Sequence, residues 1–300
     1  MSSLGPIWSV VKPLWIVARS PALVRQPLLV LGMLVVLGWL VIALLVPVLG
    51  LRDPLGQGPR LLEPPSGFDL FGTDQLGRDV ASRVFWGARI SLPIAALVVA
   101  VSLLIGVTLG SVAGYMGGWL DALLMRGTDL VFAFPAIILA MALTAVLKPG
   151  LTTAVIAIIT ISWPAYGRLA RALVRSAARS DYVVAARLLG GGPVRSLLVD
   201  IMPNIAGPVL VLAMLDVGNV ILLLSALSFL GLGAQPPVPE WGSMVSDGSQ
   251  YFGQWWLATF PGLAIFTAVL GFNFVGDGIR DILDPRSTTN WVAVSERDPS

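Results

Sequence analysis

Six stretches of this chain run uncharged, or nearly so, for long enough to cross a membrane: 27–51, 90–114, 130–147, 149–167, about 205–233 and about 252–276. At 1.5 Å per residue, a hydrocarbon layer of about 30 Å needs close to 20 apolar residues. Inside that layer water cannot satisfy a bare peptide group, so long apolar runs survive only with their backbone hydrogen bonds closed within a helix. The sequence therefore predicts an all-α membrane protein with six transmembrane helices. Its charged share is only 12%, against about a quarter in soluble domains. The 32 Gly and 22 Pro fit the same reading, because neighbouring membrane helices satisfy the backbone groups these residues free. Pro27–Leu51 is too long and too far from the start to be a secretory signal, and no small-residue cleavage site precedes the next charges. Lys148-Pro149-Gly150 reads as a tight turn between the third and fourth spans.

What is missing limits the chemistry. With no His and no Cys, the chain has no histidine relay, no Cys/His nucleophile pair and no zinc or iron–sulfur site of the usual kinds. Its two lysines, Lys12 and Lys148, lie outside any G-x-x-x-x-G-K-[ST] frame, so any ATP must be handled by another chain. No metal or cofactor is expected on this one. A formal charge of +2 gives no reason to expect a nucleic-acid partner.

The distribution of bases sets orientation. With a cytoplasmic N-terminus, thirteen Lys and Arg fall inside and six outside, and this excess places both termini in the cytoplasm. The expected divisions are a cytoplasmic segment 1–26, a first transmembrane helix 27–51, an extracytoplasmic and interfacial loop 52–89, a five-helix core 90–286 and a cytoplasmic tail 287–300. The 52–89 loop balances five arginines with five acids, and its charged run up to Ser91 is expected to lie partly along the interface. The proline-rich 234–242 loop carries no base and is expected outside. The most basic loop, 168–204, is the natural docking element for a soluble partner.

Within that loop Asp181-Tyr-Val-Val-Ala-Ala-Arg-Leu-Leu-Gly190, followed by Met202-Pro203-Asn204, resembles the EAA loop of ABC importer permeases, a short coupling helix that sits in a cleft of the ATPase subunit. Small Ala185 and Ala186 would keep the helix thin for docking, Gly190 would let the chain turn away, and Pro203 with Asn204 would start the next span. Four further segments, in order, are similar to the dipeptide/oligopeptide/nickel permeases. They are Phe71–Arg83 with Gly87–Leu92, Gly114–Asp121 with Phe132–Pro135, Leu227–Gly233 and Gly276–Arg286. The resemblance covers roughly 70–286 and implies the type I importer fold and the C-type permease of a peptide importer. It further implies a homologous B-type permease, two ABC ATPases that bind ATP and Mg, an extracytoplasmic substrate-binding protein, and a bacterial or archaeal plasma membrane. Coupling residues carried over are Asp181, Tyr182, Val184, Ala185, Ala186, Gly190, Pro203 and Asn204. Val184, Asp200 and Leu224 depart from the family's usual Glu, His and Glu. Nickel chelates and glutathione-like compounds are the alternative cargo.

Other residues are read on their own chemistry. Arg168, Arg171, Arg175 and Arg179 share one helical face and are expected to snorkel to anionic headgroups, with contacts to the ATPase or to loop acids as the alternative. Asp216, with Asn219 a turn later, is an intramembrane carboxylate, and such groups face a bundle interior or an aqueous path. Asn273 is a milder case. Either a translocation path or interhelical pairing would accommodate them. Trp119, Trp241, Trp255 and Trp256 read as interface anchors, and Asp74, Arg78 and Asp79 as an ion-pair network rather than a metal site. A secondary transporter would need more intramembrane charge than Asp216 supplies. An aspartyl protease would need Asp216 and Asp277 at one depth.

Overall fold

The computed structural model describes residues 26–283. The helices are α1 Pro27–Leu45, α2 Val80–Met116, α3 Gly118–Phe132, α4 Ala136–Leu147, α5 Leu151–Ala177, α6 Asp181–Leu188, α7 Pro193–Arg195, α8 Met202–Phe229, α9 Trp241–Ser249 and α10 Trp256–Leu283. A π-helical stretch, Ser196–Ile201, joins α7 to α8. Among the described residues the one strand-like pairing is an isolated bridge between Thr73 and Asp79. Five helices are long and apolar enough to span, or six if the pair α3 and α4 is taken as one crossing. Of the expected cytoplasmic segment 1–26 only Gln26 is described, and the expected tail 287–300 lies outside the described residues.

The third span departs most from expectation. In place of a straight helix over 130–147, α3 and α4 meet at 89°. Pro135 causes the break: it has no N–H to donate, and it drives Phe134 away from helical geometry. Helix ends elsewhere run past the charges that seemed to bound them. α2 starts at Val80 rather than 90 and runs 37 residues, about 55 Å, so the run expected along the interface is its first three turns. α5 carries Arg168, Arg171 and Arg175 within it. The fifth span begins at Pro193, well before Pro203, so the expected 168–204 loop is mostly helix.

Packing is set by glycine. On α2, Gly106, Gly110 and Gly114 repeat every four residues and lie against the α5 backbone at Trp163, Gly167 and Arg171. A methyl at Gly114 would come within 2.6 Å of the Arg171 carbonyl oxygen, and one at Gly110 would run into that of Gly167. Small residues at this spacing let membrane helices approach to backbone contact. Gly32 on α1 meets Phe274 on α10 in the same way, and Gly276 on α10 meets Leu215 on α8.

The end of the bundle at the N-terminus of α2 is capped by folded chain. Asp69 is fully buried between Arg52 and Arg60. Asp74 takes Arg78 at 2.6 Å and Arg83 at 3.7 Å, which bears out the ion-pair reading. Asp79 instead caps α2, accepting from the Ser82 amide at 2.8 Å. Phe71 stacks on Phe260 of α10 at 4.0 Å, and the Trp256 indole donates to the Thr73 carbonyl. Trp241 and Trp256 are therefore not interface anchors. Trp241 is fully buried, donates to the Val84 carbonyl at 2.8 Å and meets Trp39 edge-on at 5.0 Å. Trp119 and Trp255 are exposed as anchors should be.

Glu240 caps α9 from inside this packing. Its Oε2 accepts from the Ser243 amide at 3.0 Å and its Oε1 from the Ser91 hydroxyl at 3.4 Å. Burial pushes the Glu240 carboxyl above its usual range, against the pull of those donors. Burial also raises Asp247, opposed by Arg83 and Arg78.

Two predictions follow from the packing. Gly110→Ala should lower the thermal midpoint in detergent, because overpacking costs about 1–3 kcal/mol. Gly127→Ala, where nothing lies within 4 Å, should not, and equal midpoints for the two variants would refute the seam. The second concerns pH. A raised carboxyl holds its proton more tightly folded than unfolded, so stability should grow as pH falls through the folded-state pKa and be lost as pH rises through it. Glu240→Gln should flatten part of that slope in midpoints measured between pH 8 and about 5, with Asp247 retaining the rest.

Candidate functional site

The short helix α6 is built to stand between two span ends. Asp181 in its first turn and Arg187 in its last match the helix dipole. A Schellman turn closes it: the Gly191 amide donates to the Ala186 carbonyl at 3.0 Å and the Gly190 amide to that of Arg187 at 3.0 Å. That turn needs a left-handed residue, and Gly190 supplies φ +91°. The chain turns away at the glycine, as the sequence suggested.

One face of α6 is anchored. Val183 is fully buried with Val174 of α5, Ile201 of the π stretch and Ile205 of α8. The Asn204 amide donates to the Tyr182 hydroxyl at 2.9 Å and to the Asp200 carbonyl at 2.7 Å. Arg187 lies over the ring of Tyr115 on α2, 4.8 Å from its centroid. The opposite face is open. Val184, Ala185 and Gly190 are exposed, Ala186 is half-buried, and Leu188 and Leu189 are 83% and 90% exposed. Asp181 is also exposed, and Pro203 sits half-buried at the first turn of α8.

Sequence reasoning missed Val183, Leu188, Leu189 and Tyr115. The leucines were legible in principle, since two adjacent apolar residues before a turn glycine cannot both face the bundle. Tyr115 was not, because its partner is distant in sequence.

Of the four arginines expected to snorkel, Arg168 and Arg171 follow the alternative and turn to acids of the chain itself. Arg168 pairs with Asp129 and lies 4.4 Å over Phe132, while Arg171 forks onto Asp121, with one arm at 2.6 Å. These are contacts to the chain's own acids, and they hold α3 against α5.

Within the spans, Asp216 accepts from the Tyr166 hydroxyl of α5 at 2.8 Å, with Asn219 as a second partner. Asn273 of α10 lies against Gly218. Asp216 and Asn219 thus pair on the side of α8 that meets α5, whereas Asn273 meets α8 at Gly218, about 200° round the helix from Asp216 at 100° per residue, so the structure brings together two of the three residues singled out in the sequence. Leu224, the departure from an expected Glu, is fully buried in the apolar core, a place where a lone carboxylate would be costly.

A model of the family described as binding-protein-dependent transport system inner membrane component matches residues 106–289. The chain is 44% identical over 247 residues to the dipeptide transport system permease protein DppC of Alkalihalophilus pseudofirmus, covering 82% of this chain and 81% of that one. It is 45% identical over 252 residues to the di/tripeptide transport system permease protein DppC of Pseudomonas aeruginosa, covering 81% and 83%. Against the glutathione transport system permease protein GsiD of Pectobacterium atrosepticum it is 43% identical over 228 residues, 76% of each chain. The chain belongs to the family of binding-protein-dependent transport system inner membrane components.

Proposed function

We propose that this chain is the C-type permease of an ATP-driven importer for di- or oligopeptides. It forms the path with a homologous B-type permease, two ABC ATPases carry ATP and Mg, and an extracytoplasmic binding protein delivers cargo. Both termini lie in the cytoplasm. The observation that carries the reading is α6 itself. Its open face, Val184, Leu188 and Leu189, supplies an apolar ridge for a cleft in the ATPase, while Val183, Tyr182 and Arg187 connect it to α5, α8 and α2. Peptide cargo is favoured by the relatives' names, and glutathione is itself a small peptide-like compound.

Leu189→Asp places a charge on that ridge without touching the buried face. In native-membrane co-purification it should lose the ATPases while keeping the second permease, and retention of the ATPases at wild-type level would overturn the docking reading. A chain that emerged alone and still moved solute would favour a secondary transporter. Tyr182→Phe removes the acceptor of Asn204 and should leave docking intact while lowering transport per ATP hydrolysed.

Asp216, Asn219 and Asn273 are proposed to border the path, with Tyr166 holding the carboxylate. Asp216→Asn should cut peptide uptake in assembled transporter, and unchanged uptake would assign the group to helix pairing alone.

A further inference from the structure

Where α2 ends, α3 begins and α5 hands over to α6, the chain encloses a cavity of about 300 Å³. Three arginines line it, Arg175, Arg179 and Arg187, with Asp121 as the single acid. That acid is already engaged by the fork of Arg171, and Arg175 reaches it only at 3.8 Å. Among the described residues no ion pair engages Arg179 or Arg187. Arg187 lies over Tyr115, 4.8 Å from the ring centroid, a contact with the ring face that uses no guanidinium N–H in an ion pair. Gly114, Gly117 and Gly118 form the remaining wall and leave it without side-chain bulk. Among the described residues Asp121 is the one acid in the lining, so the cavity holds an excess of positive charge.

Its rim states what kind of anion fits. Met116, 69% exposed, and Trp119, 76% exposed, flank the lining residues Gly117 and Gly118 in the chain, with Leu123 further along α3 also exposed. An exposed tryptophan with aliphatic neighbours at a span end belongs at headgroup depth, so an anion seated here would have hydrocarbon alongside. A soluble phosphate would leave that apolar surface bare. Basic pockets between span ends on the cytoplasmic side are suited to anionic headgroups.

We propose that this cavity binds the phosphate headgroup of an anionic phospholipid, and that the bound lipid ties Arg187 of α6 to Arg175 of α5 and to Arg179 just beyond its end. Membrane charge then sets how firmly the coupling helix is held to the spans. The regulatory part rests on the coupling reading above, and the binding part needs only that this end face the headgroups.

The test uses the complete transporter in nanodiscs of phosphatidylcholine alone or of phosphatidylcholine and phosphatidylglycerol in equal parts. Native mass spectrometry of the released protein reads retained phosphatidylglycerol, and peptide-stimulated ATP hydrolysis reads coupling. Wild type should retain phosphatidylglycerol and hydrolyse faster in the mixed discs. Arg179→Gln with Arg187→Gln should lose both effects, with retention down about 25-fold at roughly fivefold per arginine. Arg89→Gln, at the opposite end of α2, serves as the control and should behave as wild type. Equal retention in wild type and double variant would overturn the site. Rescue of the phosphatidylcholine discs by inorganic phosphate would make the occupant a soluble anion and overturn the lipid assignment, as would loss of the ATPases from the double variant in lipid-free detergent, which would give the arginines to the ATPase. Because lipid retention can be read on the permease alone, failure of the importer reading would show as missing ATPases with retention intact.

Discussion

Backbone contact between α2 and α5 fixes the distances on which the other helices depend. Bilayer lipid is as apolar as leucine, so no hydrophobic force presses two membrane helices together, and close association has to come from van der Waals fit. Gly106, Gly110 and Gly114 supply that fit by putting peptide against peptide at Trp163, Gly167 and Arg171. Once the two axes are this close, Tyr166 is sealed from solvent and its hydroxyl reaches Asp216 on α8. Arg171, on the last turns of the same seam, is brought to Asp121, and α3 is drawn in with it. A single spacing pattern on one helix thereby positions parts of three others.

Several polar groups in the packed interior are matched to a partner on another element. Trp241 gives its indole N–H to the Val84 carbonyl, Trp39 gives its own to Thr267, and Glu240 divides its oxygens between Ser91 and Ser243. In low dielectric an unpartnered polar group is expensive, so these pairs discriminate against any arrangement in which α9 sits elsewhere. The 234–249 segment behaves as part of the fold because its buried tryptophan and glutamate can be satisfied nowhere else.

Much of this was legible in the sequence. Apolar length alone gives the spans, and the Asp181–Gly190 run with its terminal glycine gives α6 and its turn. Helix ends were harder, because charge was taken as a boundary: Arg168 and Arg171 look like the end of a span until Asp129 and Asp121 are known to neutralise them. The glycine seam escaped notice because a G-x-x-x-G-x-x-x-G stripe acquires meaning only against a facing helix. Trp241 and Trp256 were misread for a related reason. Nearness to a span end is shared by anchors that face lipid and by residues that fill the end of a bundle, and only the facing groups, Val84 and Thr73, separate them.

The seam also bears on how a push at α6 would spread in the proposed importer. Val183 touches both α5 and α8 while Arg187 touches α2, so a displacement enters three spans at once. α2 and α5 cannot slide past one another without separating peptide groups already in contact, and α3 follows α5 through Arg168 and Arg171. These helices would therefore move together. The compliant element is α4, joined to α3 at 89° through Pro135 and to α5 through Lys148–Gly150, where Lys148 holds φ +77°. With hinges at both ends, α4 can keep its place against lipid or a neighbour while the block beside it tilts. Access would change by the rotation of a glycine-welded unit against α8 and α10, and the Tyr166–Asp216 hydrogen bond lies across the boundary where that rotation is taken up.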